Sequence, residues 1–157
     1  MGKRTRIGLS ALVSGTVASM VSAAALALLA KAEGKGALQP TNATSHWLKG
    51  PQAVARNEAD AAHTLLGLAT HHASSVFWAL PFEAWLSTRP RRSSVELLRD
   101  ATVMSTIAAA VDYGVVPKRL TPGWDLVLSK RSLVATYAAL AIGLAVGSRI
   151  AEELIER

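Results

Sequence analysis

Four long apolar runs alternate with short polar segments along the chain, and the polar segments hold most of the charged residues. The runs cover about residues 7–30, 59–81, 98–116 and 133–150. A helix needs about 20 predominantly apolar residues to cross the hydrocarbon core of a bilayer, and each run is about that long. We therefore expect an all-α, integral membrane four-helix bundle that forms a single membrane domain over residues 1–157. Residues 31–56, which include the segment NATSHW, form the connector between the first two helices.

Small residues recur at every fourth position in the first and fourth runs. The positions are Ala11, Gly15, Ser19, Ala23 and Ala27 in the first run and Ala135, Ala139, Gly143 and Gly147 in the fourth. Small side chains at this spacing let the backbones of membrane helices approach closely. The two faces predict tight helix packing, and we expect them to support a homo-oligomer or the binding of a membrane partner.

The second run carries a polar stripe down one side of the helix that it predicts. At about 100° per residue, a set of polar and small side chains falls close to one line. The set is Asp60, His63, Thr64, Gly67, His71, Ser74 and Trp78. Alanine, leucine and valine make up the opposite face. Ionisable side chains inside a spanning helix are costly, so they face the protein interior and mark candidate functional sites.

Two further ionisable residues are expected near the start of this stripe. The third run is antiparallel to the second, so its Asp112 should lie at the same end of the bundle as Asp60 and His63. His46, in the connector, enters the second run from that end. Imidazole nitrogens and carboxylate oxygens are zinc ligands. The sequence thus predicts a site for a divalent metal such as zinc, formed by His46, Asp60, His63 and Asp112, although the spacing matches no established zinc motif.

The remaining ionisable residues of this region suggest a relay along the stripe instead. His71 and His72 lie near the middle of the second run, Ser74 follows them, and Glu83 lies beyond its far end. Histidine titrates near neutral pH, and spaced carboxylates and imidazoles can relay protons. We therefore expect the protein to bind or conduct a small cation, either a metal ion or a proton.

Two other functions are compatible with the same residues. Polar groups that only hydrogen-bond between helices would fix the helix register of a structural or assembly subunit of a membrane complex. A small membrane-embedded enzyme would instead pair His63 or His71 with Asp112 and a serine nucleophile. The serines within reach would be Ser74, Ser75 and Ser105. Serine is so common in these runs that the match carries little information, and no catalytic residue is assigned.

The charge distribution points to lipid as a partner. The chain has 17 Lys and Arg against 11 Asp and Glu, a net charge of +6. The basic residues cluster at the ends of the runs, where such residues anchor membrane helices at lipid headgroups. No basic stripe is interleaved with aromatic residues, so the pattern argues against nucleic acid as a partner. The absence of cysteine excludes disulfides and thiolate metal sites.

The basic residues also bear on the topology. Lys3, Arg4 and Arg6 precede the first run, as in a signal peptide, but this run is longer than a secretory apolar segment, so we expect a retained helix. Four spans place both termini on one side of the membrane. The basic N-terminus and the loop Arg89–Arg92 favour an inner-membrane protein with both termini in the cytoplasm.

Two segments carry a resemblance to known proteins. NATSHW, from Asn42 to Trp47, and THHASSVFWALPFE, from Thr70 to Glu83, resemble stretches of small uncharacterised bacterial inner-membrane proteins. The resemblance covers mainly residues 42–85. It implies no activity, and no functional residue is carried over from it.

Overall fold

The computed structural model describes residues 1–90 and 92–155, and this part of the chain contains six α-helices and no strand. The helices are α1 (Lys3–Ala32), α2 (Gln39–Thr44), α3 (His46–Lys49), α4 (Leu66–Leu86), α5 (Ser94–Gly114) and α6 (Lys130–Ile155). The prediction of an all-helical fold is confirmed, and each apolar run corresponds to one of the four long helices. Arg91, which belongs to the loop used in the topology argument, lies outside the described residues.

The second long helix differs from its predicted range of 59–81 at both ends. It begins with a π-helical turn, Ala61–Leu65, because the Asp60 carboxylate accepts the backbone N–H of Ala62 at 2.8 Å and caps the helix there. It then continues through Pro81 to Leu86, where the sequence predicted an end or a kink. Pro81 has no backbone N–H to donate to the Phe77 carbonyl. Both residues are exposed, so the missing hydrogen bond lies on the helix surface.

The third long helix begins four residues before its predicted start at residue 98. Ser93 and Glu96 form a capping box, in which each side chain accepts the backbone N–H of the other residue, at 3.3 Å and 2.9 Å. This arrangement satisfies two N–H groups that a helix start otherwise leaves unpaired. The polar first turn is therefore part of α5.

α1 packs antiparallel to α6 at backbone-to-backbone distance. A Cβ atom built on Gly143 would lie 2.5 Å from Ala18 Cα, and one built on Gly147 would lie 2.6 Å from Ser14 Cα. Real Cβ atoms do not approach so closely, so only glycine fits at these two positions. The predicted tight packing of the small-residue faces therefore occurs within one chain. Gly143 and Gly147 are covered within one chain, whereas Ala135 of the same face is exposed, so a homo-oligomer or a membrane partner stays a prediction.

α1 also packs against α4, on a neighbouring side. A Cβ atom on Gly15 would lie 2.6 Å from Val76 Cα. Ser14 and Ser22 are fully buried in the same helix, so α1 presents small and polar side chains to both neighbours. α5 completes the arrangement on the far side of α6, where the Ser105 hydroxyl donates to the Tyr137 carbonyl at 2.5 Å.

The outside of the four long helices is apolar. Large apolar side chains are exposed on all four, among them Met20, Phe77, Ile107 and Val134. By length and composition, α1 and α6 could each cross a membrane, whereas α4 and α5 do not meet the same test. Histidines and Glu83 lower the mean hydropathy of α4, and α5 carries Arg99, Asp100 and Asp112. The structure thus supports two possible membrane-spanning helices.

The connector folds into a cap on one end of the helices. α2 lies against the start of α4, where a Cβ atom on Gly67 would come within 1.9 Å of the Thr41 carbonyl oxygen. Asn42 is fully buried, and its side-chain nitrogen donates to the carbonyls of Arg56 and Glu58 at 3.0 Å each. This residue therefore holds the whole connector as one unit.

Candidate functional site

A cavity of about 70 Å³ lies beneath the connector, among α4, α5, α6 and the segment that follows α5. We call it the polar cavity, and its principal lining residues are Thr44, His71, Trp78, Asp112, Trp124 and Tyr137. One buried water needs a cavity volume of about 10–15 Å³, so this cavity can hold a few waters or one small ion.

Asp112 provides the carboxylate of the polar cavity. It lies two residues before the end of α5, where it is half-buried. The Tyr137 hydroxyl of α6 donates to its Oδ2 atom at 2.7 Å, and the Trp78 side chain of α4 is a second hydrogen-bonding partner. Residues of three helices thus position one carboxylate, and neither partner brings a positive charge.

His71 provides the imidazole, and its surroundings set its tautomer. Ser22 of α1 donates its hydroxyl proton to the Ala18 carbonyl at 2.6 Å, so its oxygen can only accept from His71 Nε2, which lies 3.0 Å away. The Ser19 carbonyl, 3.3 Å from the same nitrogen, is also an acceptor. Nε2 therefore carries the proton, and in the neutral ring Nδ1 remains an acceptor.

Aromatic rings connect the histidine with the carboxylate. Trp124 makes an edge contact with His71, with ring centroids 5.4 Å apart, and lies 5.8 Å from the ring of Tyr137. Its indole N–H donates to the Thr44 hydroxyl of the connector at 2.9 Å. The connector therefore fixes the ring that lies between His71 and Tyr137.

This arrangement suits a small cation with hydrogen-bond donors. Asp112 supplies a negative charge, and His71 Nδ1 is an acceptor on the ring that lines the same cavity. The faces of tryptophan and tyrosine rings attract cations, most strongly where water is excluded. An anion would meet the Asp112 carboxylate and would find no cationic side chain among the lining residues.

The structure does not assemble the predicted metal site. Within residues 1–90 and 92–155, no group of three or more His, Asp or Glu side chains could hold a metal ion. Asp60 and His63 do form a pair, with Oδ2 and Nδ1 2.5 Å apart at the start of α4. The ring nitrogens of His46 lie 2.9 Å from the Ala43 carbonyl oxygen and 3.3 Å from the Lys118 carbonyl oxygen. The metal site therefore stays a prediction, because in this structure Asp112 turns toward Tyr137 and the His46 ring lies against the carbonyls of Ala43 and Lys118.

The predicted relay residues do not form a continuous path either. His71 is buried in the polar cavity wall, His72 is half-buried beside it, and Ser74, which is exposed, lines the same cavity. Glu83 is buried near the opposite end of α4, where the hydroxyls of Ser14 and Ser148 are its hydrogen-bonding partners. The structure therefore divides the predicted stripe into separate groups.

Two of the three serines considered for an enzyme triad donate their hydroxyl protons to helix carbonyls. The Ser75 hydroxyl donates to the His71 carbonyl at 2.9 Å, and the Ser105 hydroxyl donates to the Tyr137 carbonyl. In a catalytic triad, an imidazole acts as the general base and removes the hydroxyl proton of the serine. Neither of these two hydroxyl protons points to an imidazole. Hydroxyl groups that stabilise helix carbonyls are the simpler account of both serines.

Three residues of this site were missed by the sequence analysis. Tyr137 is the only aromatic residue in the fourth apolar run and carries a hydroxyl group, so the sequence could have indicated it as a site residue. Ser22 directly precedes Ala23 of the small-residue face, and its hydroxyl was not considered. Trp124 stands in a loop, and nothing in the local sequence indicates that its ring turns into the bundle.

Comparison of the chain with protein-family models, with curated proteins and with solved structures found no match.

Proposed function

We propose that this chain is a multi-pass inner-membrane protein in which all four long helices cross the bilayer. The exposed apolar side chains on α1, α4, α5 and α6 support this proposal, because water-soluble helices carry charged residues on their outer faces. The polar residues that lower the hydropathy of α4 support it too, since His71 and Glu83 are buried against protein. The antiparallel order of the helices would place both termini on one side, which we assign to the cytoplasm.

We further propose that the protein binds a small monovalent cation with N–H donors, of the ammonium or alkylammonium class, in the polar cavity. The observation that carries this proposal is the Asp112 carboxylate, held by Tyr137 and Trp78 in a cavity lined with aromatic rings. An ammonium-type ion would donate to Asp112 and to an acceptor such as His71 Nδ1, and its charge would be stabilised by the ring faces.

Binding is favoured over conduction by the residues along the inner side of α4. Ala79 and Phe82 are fully buried between the polar cavity and Glu83. Neither side chain has a polar group that could coordinate a cation or pass on a proton. A transmembrane path would therefore need polar groups that this interface does not offer.

The test uses the purified full chain in detergent, at constant ionic strength, with thermal unfolding as the measurement. Ammonium and methylammonium chloride should raise the unfolding midpoint in a saturable manner, because a ligand that binds only the folded state stabilises it. Sodium chloride at equal concentration should not, since sodium lacks N–H donors and needs more oxygen ligands than one carboxylate supplies.

The matched variants are Asp112→Asn and Asp125→Asn. Asp112→Asn should abolish the ammonium-dependent shift, whereas Asp125→Asn, on an exposed carboxylate outside the cavity lining, should retain it. A folded protein that no ion stabilises would favour the alternative of a structural or assembly subunit. A shift that survives Asp112→Asn would place the cation elsewhere.

A further inference from the structure

A second and larger cavity, of about 220 Å³, lies at the opposite end of the helices from the connector. It is formed where the start of α1 meets the end of α4, the loop before α5 and the end of α6. We call it the arginine cavity, and its charged lining residues are Arg6, Glu83, Arg89, Arg92, Arg149 and Glu152. Among these described residues, four guanidinium groups face two carboxylates, which leaves an excess of two positive charges.

Two of the arginines are held in place by the protein. Arg149 Nη1 lies 2.7 Å from Glu152 Oε2, and its Nη2 donates to the backbone carbonyl of Arg92. Arg92 in turn lies 3.4 Å from Asp100 and 3.7 Å from Glu96. A ligand that binds these side chains would not have to order them first, which lowers the entropic cost of binding.

The side chains of Arg92 and Arg89 both favour a ligand with many hydrogen-bond acceptors. The Nε–H group of Arg92 is buried and has no acceptor within the described part of the chain, which is costly for a charged donor. The guanidinium of Arg89 lies over the Trp85 ring, with its carbon 4.8 Å from the ring centroid. Arg89 is exposed, so its N–H donors are accessible to a ligand.

The arginine cavity is also lined by apolar side chains. Ile7, Leu86, Leu97 and Ile155 line the same space as the arginines. On the neighbouring helix surfaces, Leu9, Leu98 and Leu154 are exposed. A ligand that fits both features has a charged phosphate at one end and an apolar part that runs along the helices.

We propose that the arginine cavity binds a phosphate group, supplied by the headgroup of an anionic phospholipid. Arginine matches phosphate oxygens because its planar N–H donors form two parallel hydrogen bonds. The phosphate would accept from Arg89 at the rim and from the accessible part of the Arg92 guanidinium inside. The lipid as source rests on the membrane location proposed above, whereas the phosphate site itself depends neither on that location nor on cation binding.

The experiment titrates the detergent-purified full chain, free of phosphate, with three probes. They are dihexanoyl phosphatidylglycerol, inorganic phosphate and dihexanoyl glycerol, and binding is measured by calorimetry and by the unfolding midpoint. Phosphatidylglycerol should bind and the uncharged glyceride should not. Competition by inorganic phosphate would show that the phosphate group is recognised by itself, and binding of inorganic phosphate alone would make the free ion the source.

The variants are Arg89→Gln, Arg89→Lys and, as a control, Arg131→Gln, an exposed arginine at the connector end. Arg89→Gln should weaken phosphatidylglycerol binding about tenfold, the factor that one charge-assisted hydrogen bond supplies. Arg89→Lys, which keeps the charge but not the paired donors, should lose less, and Arg131→Gln should bind as the parent does. Failure of both phosphate probes to bind the folded protein, or equal losses for Arg89→Gln and Arg131→Gln, would overturn the proposal. Neither result depends on ammonium binding.

Discussion

The Glu33 carboxylate accepts hydrogen bonds from both the backbone N–H and the hydroxyl of Ser129, at 3.1 Å and 2.6 Å. Glu33 directly follows α1 and Ser129 directly precedes α6, so a side chain at the end of one helix caps the start of another. The Ser132 hydroxyl donates to the same carboxylate. The contact adds a favourable charge at the helix N-terminus and fixes the register of the α1–α6 pair.

The first prediction concerns acid stability. Hydrogen bonds from the Ser129 and Ser132 side chains lower the pKa of Glu33 below its ordinary value of 4.5. A lowered pKa in the folded state means that Glu33 stabilises the fold fully above pH 4.5 and loses this effect as the pH falls through the lowered pKa. Glu33→Gln should therefore lower the unfolding midpoint at pH 7, and the difference from the parent should shrink in acid.

The control for Glu33 is Glu153→Gln, which removes an exposed carboxylate from α6. It should leave the unfolding midpoint nearly unchanged at both pH values. A difference between the parent and Glu33→Gln that stays constant from pH 7 to pH 3 would show that the charge of Glu33 does not matter.

The second prediction tests the close contact of α1 with α6. Gly143→Leu should destabilise the fold by about 1–3 kcal/mol or more, because overpacking forces apart two backbones that cannot yield locally. Val146→Leu, on the exposed side of α6, should change stability by less than about 0.5 kcal/mol. Unfolding in detergent is the measurement, and equal effects for both variants would place Gly143 on a lipid-facing surface.

The third prediction addresses the partner of Asp112. A double-mutant cycle of Asp112→Ala and Tyr137→Phe should show a coupling of about 1–3 kcal/mol, because each variant leaves the other polar group without its hydrogen bond. The same cycle with Asp112→Ala and His63→Gln should be additive within about 0.5 kcal/mol, since the two residues share no partner. Strong coupling to His63 instead would contradict the observed geometry.

The fourth prediction concerns the contact between the connector and α4. Gly67→Ala would drive a methyl group into the Thr41 carbonyl, so the connector should detach and become sensitive to proteases. Because the connector covers the polar cavity, ammonium binding should weaken as well. Gly8→Ala is the matched control: it has open space around it in α1 and should stabilise the helix by about 0.5–1 kcal/mol. A Gly67→Ala protein as protease-resistant as the control would disprove the contact.

The fifth prediction is topological and uses the absence of cysteine, which makes single-cysteine variants clean probes. Cysteine at Lys3, Thr88 or Glu153 should react with a membrane-impermeant thiol reagent from the cytoplasmic side only. Cysteine at Gln52 or Lys118 should react from the other side only. All five positions are exposed, so access is not limited by packing. Reaction of Lys3→Cys and Gln52→Cys from the same side would rule out a spanning α1.

Local patterns in the sequence determined the helices and their inward faces. The lengths of the apolar runs indicated four long helices, since these lengths need no knowledge of neighbours. The four-residue spacing of Gly143 and Gly147 indicated a close-packed face, and the 3.6-residue period turned His63 and His71 inward, as observed. Each of these features follows from one helix considered by itself.

Only the tertiary structure decided which groups meet. Gly143 could have packed on another copy of the chain, and the choice of Ala18 depends on how α1 and α6 rotate about their axes. Asp112 turns to Tyr137 because α5 packs on α6, and His46 turns away from Asp60 because the connector folds into short helices around Asn42. Depth along a helix can be read from residue spacing, whereas helix rotation and loop folding depend on the packing of the whole chain. That difference is why the sequence could place the ionisable residues near one end of the bundle but could not determine which of them meet.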